Sequence, residues 1–213
     1  MRYFQKAMRR AEIDMCYSEG FSPHMIMSFA SPLGLGLESD GEYMDISVKQ
    51  SPSSKEAVER LNAVMAEGIE VLSWRELPEN SKNAMASVAG ADYEVRFREG
   101  YELEEGWKKK LEEFLALPEI RIMKETKKGE QEVDIRPWVY DYHIKDQTIF
   151  LKVSAGSVHN LKPELLLKAF GDWAGVEIPA FALLICRKEM YADEGSETER
   201  KLVALEELGE EIG

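Results

Sequence analysis

Cysteine, histidine and long apolar runs are scarce in this 213-residue sequence, and each scarcity removes a class of function. Only Cys16 and Cys186 are present, far apart and beside apolar or aromatic neighbours. That spacing excludes a disulfide framework and a Cys-x-x-Cys metal site, so both read as buried free thiols. His24, His143 and His159 are too scattered to outline a metal centre, and no cofactor is expected to be bound by this chain. Nothing approaches the roughly 20 consecutive apolar residues that span a bilayer. Met1-Arg2-Tyr3-Phe4-Gln5-Lys6 lacks the apolar stretch of a secretory signal, and a cytoplasmic location is expected. No nucleophile triad, Gly-x-Ser-x-Gly elbow or phosphate loop is legible.

What is present begins with acid. The net charge is −13, but residues 189–213 alone hold nine acidic side chains against Arg200 and Lys201. The remaining body is only mildly acidic, which repels a polyanion on average yet leaves room for basic patches. With 44% apolar residues, the chain can bury an ordinary globular core.

Hydrophobic periodicity organises the rest. Phe4, Ala7, Met8 and Ala11 fall on one helical face, so residues 1–11 read as an amphipathic helix. Met1 supplies no N-cap, and the pattern suggests a half that lacks its initial strand. Strand patterns follow over 13–17, 25–30 and 42–48, then a helix capped at Ser53 or Ser54, then a strand over 69–74. The second half repeats this grammar: strand 93–98, helix 103–115, strands 120–125 and 148–154, helix 163–173 and strand 180–188. The fold class expected is α+β, two ferredoxin-like βαββαβ halves in tandem. Residues 1–77 form the truncated first half, 78–91 the linker and 92–190 the second half. Residues 191–213 form an acidic tail or helix. Residues 127–147 read as a long excursion, with a strand cut short by Pro137.

Two segments concentrate site-capable residues. The first runs from Tyr17 to Gly36. Tyr17, Ser18, Gly20, Phe21, Pro23 and His24 form one loop in it, and Gly34 and Gly36 belong to a second. His24 is the one candidate general acid or base, and it equally suits a loop hydrogen bond. Gly34-Leu35-Gly36 lacks the following helix of a dinucleotide fingerprint and equally suits a bend between strands. The second segment holds Lys127, Lys128, Asp134 and Arg136, followed by Trp138, Tyr140 and Tyr142. Lysines interleaved with aromatics suit single-stranded nucleic acid, although a solvated hairpin has the same pattern. Asp134 and Arg136 share a strand face, where they can form an ion pair or an anion site.

Taken in order, the following motifs resemble the radical-SAM-linked domain of unknown function 2344 family across nearly the whole chain. They are Arg2-Tyr3-Phe4-Gln5-Lys6-Ala7-Met8-Arg9-Arg10-Ala11, Tyr17-Ser18-Glu19-Gly20-Phe21-Ser22-Pro23-His24, Ser28-Phe29, Pro32-Leu33-Gly34-Leu35-Gly36, Glu42-Tyr43-Met44-Asp45, Asp134-Ile135-Arg136-Pro137 and Asn160-Leu161-Lys162-Pro163-Glu164. The resemblance implies a bacterial cytoplasmic protein that is fused to, or encoded beside, a radical SAM protein with a cobalamin-binding-like region. The encoding genes often lie near those for ribonuclease G and ribosomal proteins. It also implies a further strand before the first helix.

A radical SAM cluster needs three clustered cysteine thiolates, so in this reading the partner carries the iron–sulfur cluster and S-adenosylmethionine, with cobalamin a further candidate. The function expected is an accessory, substrate-binding module for that partner, with RNA or ribosomal components as substrate. The alternative is a stand-alone RNA-processing or RNA-modifying enzyme that uses His24.

Overall fold

The computed structural model describes residues 1–126, 129–196 and 199–213, so Lys127 and Lys128 lie outside the described residues. The chain is a mixed α/β protein with five helices, one six-stranded sheet and several two-stranded sheets among those residues.

Helix α1 (Arg2–Arg10) follows the expected apolar stripe and buries Ala7 and Met8. Strands β1 (Asp14–Met15), β2 (Met27–Phe29), β3 (Glu38–Ser39), β4 (Met44–Ile46) and β5 (Val48–Gln50) come next. Helix α2 (Ser54–Asn62) starts where Ser53 accepts a hydrogen bond from the Glu56 N–H at 3.3 Å. The pairs β1–β5 and β2–β4 are separate two-stranded ladders, not one continuous sheet. The strand expected over 69–74 does not form. Only β6 (Arg75–Glu76) does, while the Asn62 side-chain amide binds both the N–H and the C=O of Val71, at 2.8 and 2.9 Å.

After the short helix α3 (Ala84–Ser87), β7 (Val88–Phe97) begins inside the expected linker, where Val88, Gly90 and Ala91 are buried. Helix α4 (Trp107–Leu115), the hairpin β8 (Arg121–Thr126) and β9 (Gly129–Asp134), strands β10 (Val139–Lys145) and β11 (Thr148–Ser154), helix α5 (Pro163–Ala174) and β12 (Leu183–Asp193) follow. The main sheet runs β10-β11-β7-β12, all antiparallel. The expected sheet strand 120–125 instead stands out as half of the β8–β9 ladder, and β10 takes the place beside β11.

Helices α4 and α5 cover one sheet face. Val95, Ile149, Leu151 and Val153 point to them and meet Leu111, Phe114, Leu166 and Phe170 in the larger core cluster. A smaller cluster around Met8, Met15, Met25 and Leu61 serves the first half.

Among the described residues of 191–213 the chain forms strands and one short 3-10 helix. Strand β13 (Leu202–Ala204) pairs with the end of β12, a 3-10 turn buries Leu205, and β14 (Glu210–Glu211) pairs with β6. The acidic end is thus a strap from the large sheet back to the first half. Leu202 is held in the β12–β13 ladder and Leu205 is buried.

Candidate functional site

The loop from Tyr17 to His24 is the open end of a hairpin closed by the Tyr17–Met25 bridge. Ser18 N–H donates to the His24 carbonyl at 2.9 Å, and His24 N–H donates to Ser18 Oγ at 3.1 Å. Ser18 Oγ also lies 2.8 Å from His24 Nδ1. The hydroxyl can donate to Nδ1 or accept from it, according to the ring tautomer. Gly20 turns the tip at φ +106°, a backbone that side chains with a Cβ rarely adopt, and leaves Phe21 fully exposed. The Pro32–Gly36 loop ends in the same way, with Gly36 at φ +84° and Leu35 fully exposed.

A buried arginine fixes the base of this second loop. Arg187 on β12 is 4% exposed and grips Glu42 with two hydrogen bonds, Nε to Oε1 at 2.7 Å and Nη2 to Oε2 at 2.8 Å. Its Nη2 also donates to the Ser31 carbonyl at 3.2 Å. Ser39 Oγ donates to Glu42 Oε1 at 2.7 Å, and β3 lies parallel to β12 with Ser39 opposite Arg187. Gly41 is required here, since a Cβ on it would meet the Lys188 carbonyl at 2.5 Å. Beside this clamp, Lys188 binds Asp40, and Tyr43 Oη donates to Glu189 Oε1 at 2.7 Å.

The charges shift accordingly. The Lys188 ammonium holds the Asp40 carboxyl below the usual carboxylate range, and Asp40 in turn raises Lys188. Burial and the Glu189 carboxylate push the Tyr43 phenol well above its ordinary value. Burial and nearby Asp40 push the Cys186 thiol up. Cys186 is partly exposed, where a fully buried thiol was expected.

The Gly36 tip reaches the uncovered face of the main sheet, where a small pocket is lined by Gly36, Glu38, Glu94, Arg96, Arg98 and Cys186. On that face, alternate residues of β11 (Thr148, Phe150 and Lys152) turn away from the helices. His143 stacks on Phe150 with ring centroids 4.3 Å apart and planes 6° apart. Lys145 ends the same strand as His143 and is exposed. Lys152 lies 2.9 Å from Asp92, whose Oδ2 accepts from Tyr191 Oη at 2.7 Å.

In the second expected segment, the Asp134 and Arg136 side chains bind backbone groups. Asp134 Oδ1 accepts from the N–H groups of Ile120 at 2.8 Å and Arg136 at 3.0 Å, closing the base of the β8–β9 hairpin. Arg136 Nη1 donates to the Val139 carbonyl at 3.1 Å. Of the two alternatives, an ion pair or an anion site, the ion pair between these side chains does not form among the described residues. The basic and aromatic alternation does produce one cluster, with Lys124 Nζ 5.1 Å from the Trp138 ring centroid and Trp138 stacked on His159 at 4.9 Å.

Two pairs were not legible beforehand. Arg187 and Glu42 lie far apart in sequence, and no local pattern joins them. The only signal for Arg187 was a cation closing the apolar run Leu183-Leu184-Ile185-Cys186. His143 and Phe150 sit at alternating positions of facing strands, which becomes visible only once register is known. Among the described residues, no group of three or more His, Cys, Asp or Glu side chains is placed to hold a metal ion, and no helix is long and apolar enough to cross a membrane.

These features define a class: an α/β protein whose two halves are clamped by a buried arginine and whose exposed loops flank an open sheet face. Residues 1–163 match the family described as "Uncharacterized protein conserved in bacteria (DUF2344)", and the chain belongs to that family. Comparison with curated proteins and with solved structures returned no match.

Proposed function

We propose that this chain is a cytoplasmic accessory module that presents an RNA or ribosomal substrate to a radical SAM protein. In this reading the second half is a ferredoxin-like unit, because β7, β10, β11 and β12 with α4 and α5 follow its element succession and strand order. The observation that carries the proposal is the stacked His143–Phe150 pair on the uncovered sheet face, beside exposed Lys145 and Arg96. A sheet that offers flat rings among cations suits splayed bases and their phosphates. The fully exposed Phe21 and Leu35 then serve as contacts for the partner protein, since bare large apolar side chains on stiff turns suit docking. The iron–sulfur cluster and S-adenosylmethionine belong to that partner.

The test is fluorescence anisotropy with a labelled single-stranded RNA, together with recovery of the radical SAM protein on the tagged chain from an anaerobic lysate. His143→Ala should weaken RNA binding about tenfold, within the range of one lost base stack. Phe21→Ser with Leu35→Ser should reduce recovery of the radical SAM protein and leave RNA affinity unchanged. Wild-type behaviour from both variants would remove the proposal.

The contact of Ser18 Oγ with His24 Nδ1 favours a second reading, an RNA-processing or RNA-modifying enzyme in which His24 moves a proton. Cleavage or modification of RNA by the purified chain, abolished by His24→Ala, would select it over the module.

A further inference from the structure

A groove of about 1430 Å³ lies between the first half and the C-terminal strap. Its floor is apolar, formed by Phe4 and Met8 of α1, Leu61 of α2, and Met65. One wall is the outer edge of β4. Ser28 faces Asp45 across the β2–β4 ladder, with Ala30 N–H donating to the Tyr43 carbonyl at 2.9 Å and Ser47 N–H to the Ile26 carbonyl at 3.0 Å. Tyr43 and Ser47 therefore each bond the segment that carries β2, while the Ser47 carbonyl accepts from Cys16 N–H at 2.8 Å. By the alternation of an antiparallel ladder, Met44 and Ile46 turn their backbone groups the other way, into the groove. No strand pairs with that edge among the described residues.

The opposite wall is the 69–74 segment. Val71 has both backbone groups taken by Asn62, whereas Leu72 is 70% exposed and belongs to no ladder among the described residues. The groove thus has an unpaired strand edge on one side, a strand-patterned segment on the other and an apolar floor between them. An open edge of this kind is a template for a further strand.

Charge says what kind. Nine acidic side chains line the groove, against only Arg75 and Lys82. Several are neutralised internally, as Asp40 is by Lys188 and Glu206 by Arg75. Glu70 and Glu194 make no ion pair among the described residues. An acidic rim around an apolar slot favours a strand that carries Lys or Arg between its apolar residues.

We propose that this groove is a docking site for an extended, basic and apolar strand of a separate polypeptide, which adds to the free edge of β4. The site is distinct from the sheet face assigned above, shares Pro32 and Leu33 of the second loop, and stands whether or not that assignment does. The specificity follows from the walls: backbone pairing holds any extended chain, the floor selects apolar residues on one face, and the rim selects cations on the other.

The probe is the synthetic peptide Lys-Val-Arg-Val-Thr-Val-Lys, added to the full chain and followed by amide hydrogen exchange. At ten times its Kd the peptide should slow exchange at Met44 and Ile46 about tenfold. A version N-methylated at alternate residues cannot pair and should give no protection. A version with glutamate in place of its lysines and arginine should bind less tightly. Leu72→Lys alters an exposed side chain, keeps the fold and should weaken the peptide.

No protection at Met44 and Ile46 would overturn the proposal, and so would equal protection by the N-methylated peptide. Concentration-dependent protection of the same amides without peptide would assign the groove to a second copy of this chain and overturn the choice of a separate strand.

Discussion

At the scale of single residues, Arg187 carries the most structural weight. It is buried, it holds Glu42 by two short bonds, and it fixes the Ser31 carbonyl at the base of the Pro32–Gly36 loop. Arg187→Ala leaves Glu42 without its cation. It should destabilise the chain by about 3 kcal/mol in urea unfolding, the low end for breaking a buried pair, because Glu42 keeps part of its hydration. Adding Glu42→Gln to that variant should recover part of the loss, and a strictly additive double variant would contradict the pairing. Ser53→Ala removes the α2 cap and should cost about 1 kcal/mol. The Ser53 cap and the Ser18-to-His24 loop were legible because both partners lie within a few residues. The Arg187–Glu42 contact was not, because nothing local distinguishes a cation ending a strand in solvent from one buried under a distant loop.

At the scale of elements, apolar periodicity located all four of the longer helices and most strands, but assigned one strand to the wrong ladder. Tyr140, Tyr142 and Ile144 alternate with Asp141, His143 and Lys145, a two-residue period that ends at the Asp146 turn with φ +53°. That alternation was as strong as the one over 120–125. Only pairing with β11 decides that β10 joins the sheet and β8 leaves it. The α4–α5 layer has a clear aromatic centre, with Phe114 5.7 Å from Phe170 and 5.6 Å from Trp173. Phe170→Ala should therefore lower stability by about 3–5 kcal/mol, read as a lower guanidinium midpoint with an unchanged slope. A loss below about 1 kcal/mol would show that the layer repacks around the gap.

At the scale of the whole molecule, the two halves meet along β12, where Asp40–Lys188 and Tyr43–Glu189 flank the arginine clamp. Lys188 and Tyr43 both have raised folded pKa values, so their contributions are complete below their unfolded values of about 10.4 and 10 and fade as pH climbs through the folded ones. Asp40 is depressed, so its contribution is present above about 3.9 and fades as pH falls through its folded value. Stability from this seam should thus be flat near neutrality and decline above about pH 10. Thermal melts at rising alkaline pH should show a steeper fall for the wild type than for Tyr43→Phe with Lys188→Met, and parallel falls would remove the seam as the cause. The sequence by itself determined the family, the order of helices and strands, and the loops that carry Phe21 and Leu35, since these depend on local pattern and turn chemistry. The tertiary structure alone decided that the acidic end is a strap, that β10 and not β8 completes the sheet, and that Arg187, His143 and the β4 edge face the surfaces they do. Strand pairing and ion-pair burial join residues far apart in the chain, and their energy exists only after the elements have met.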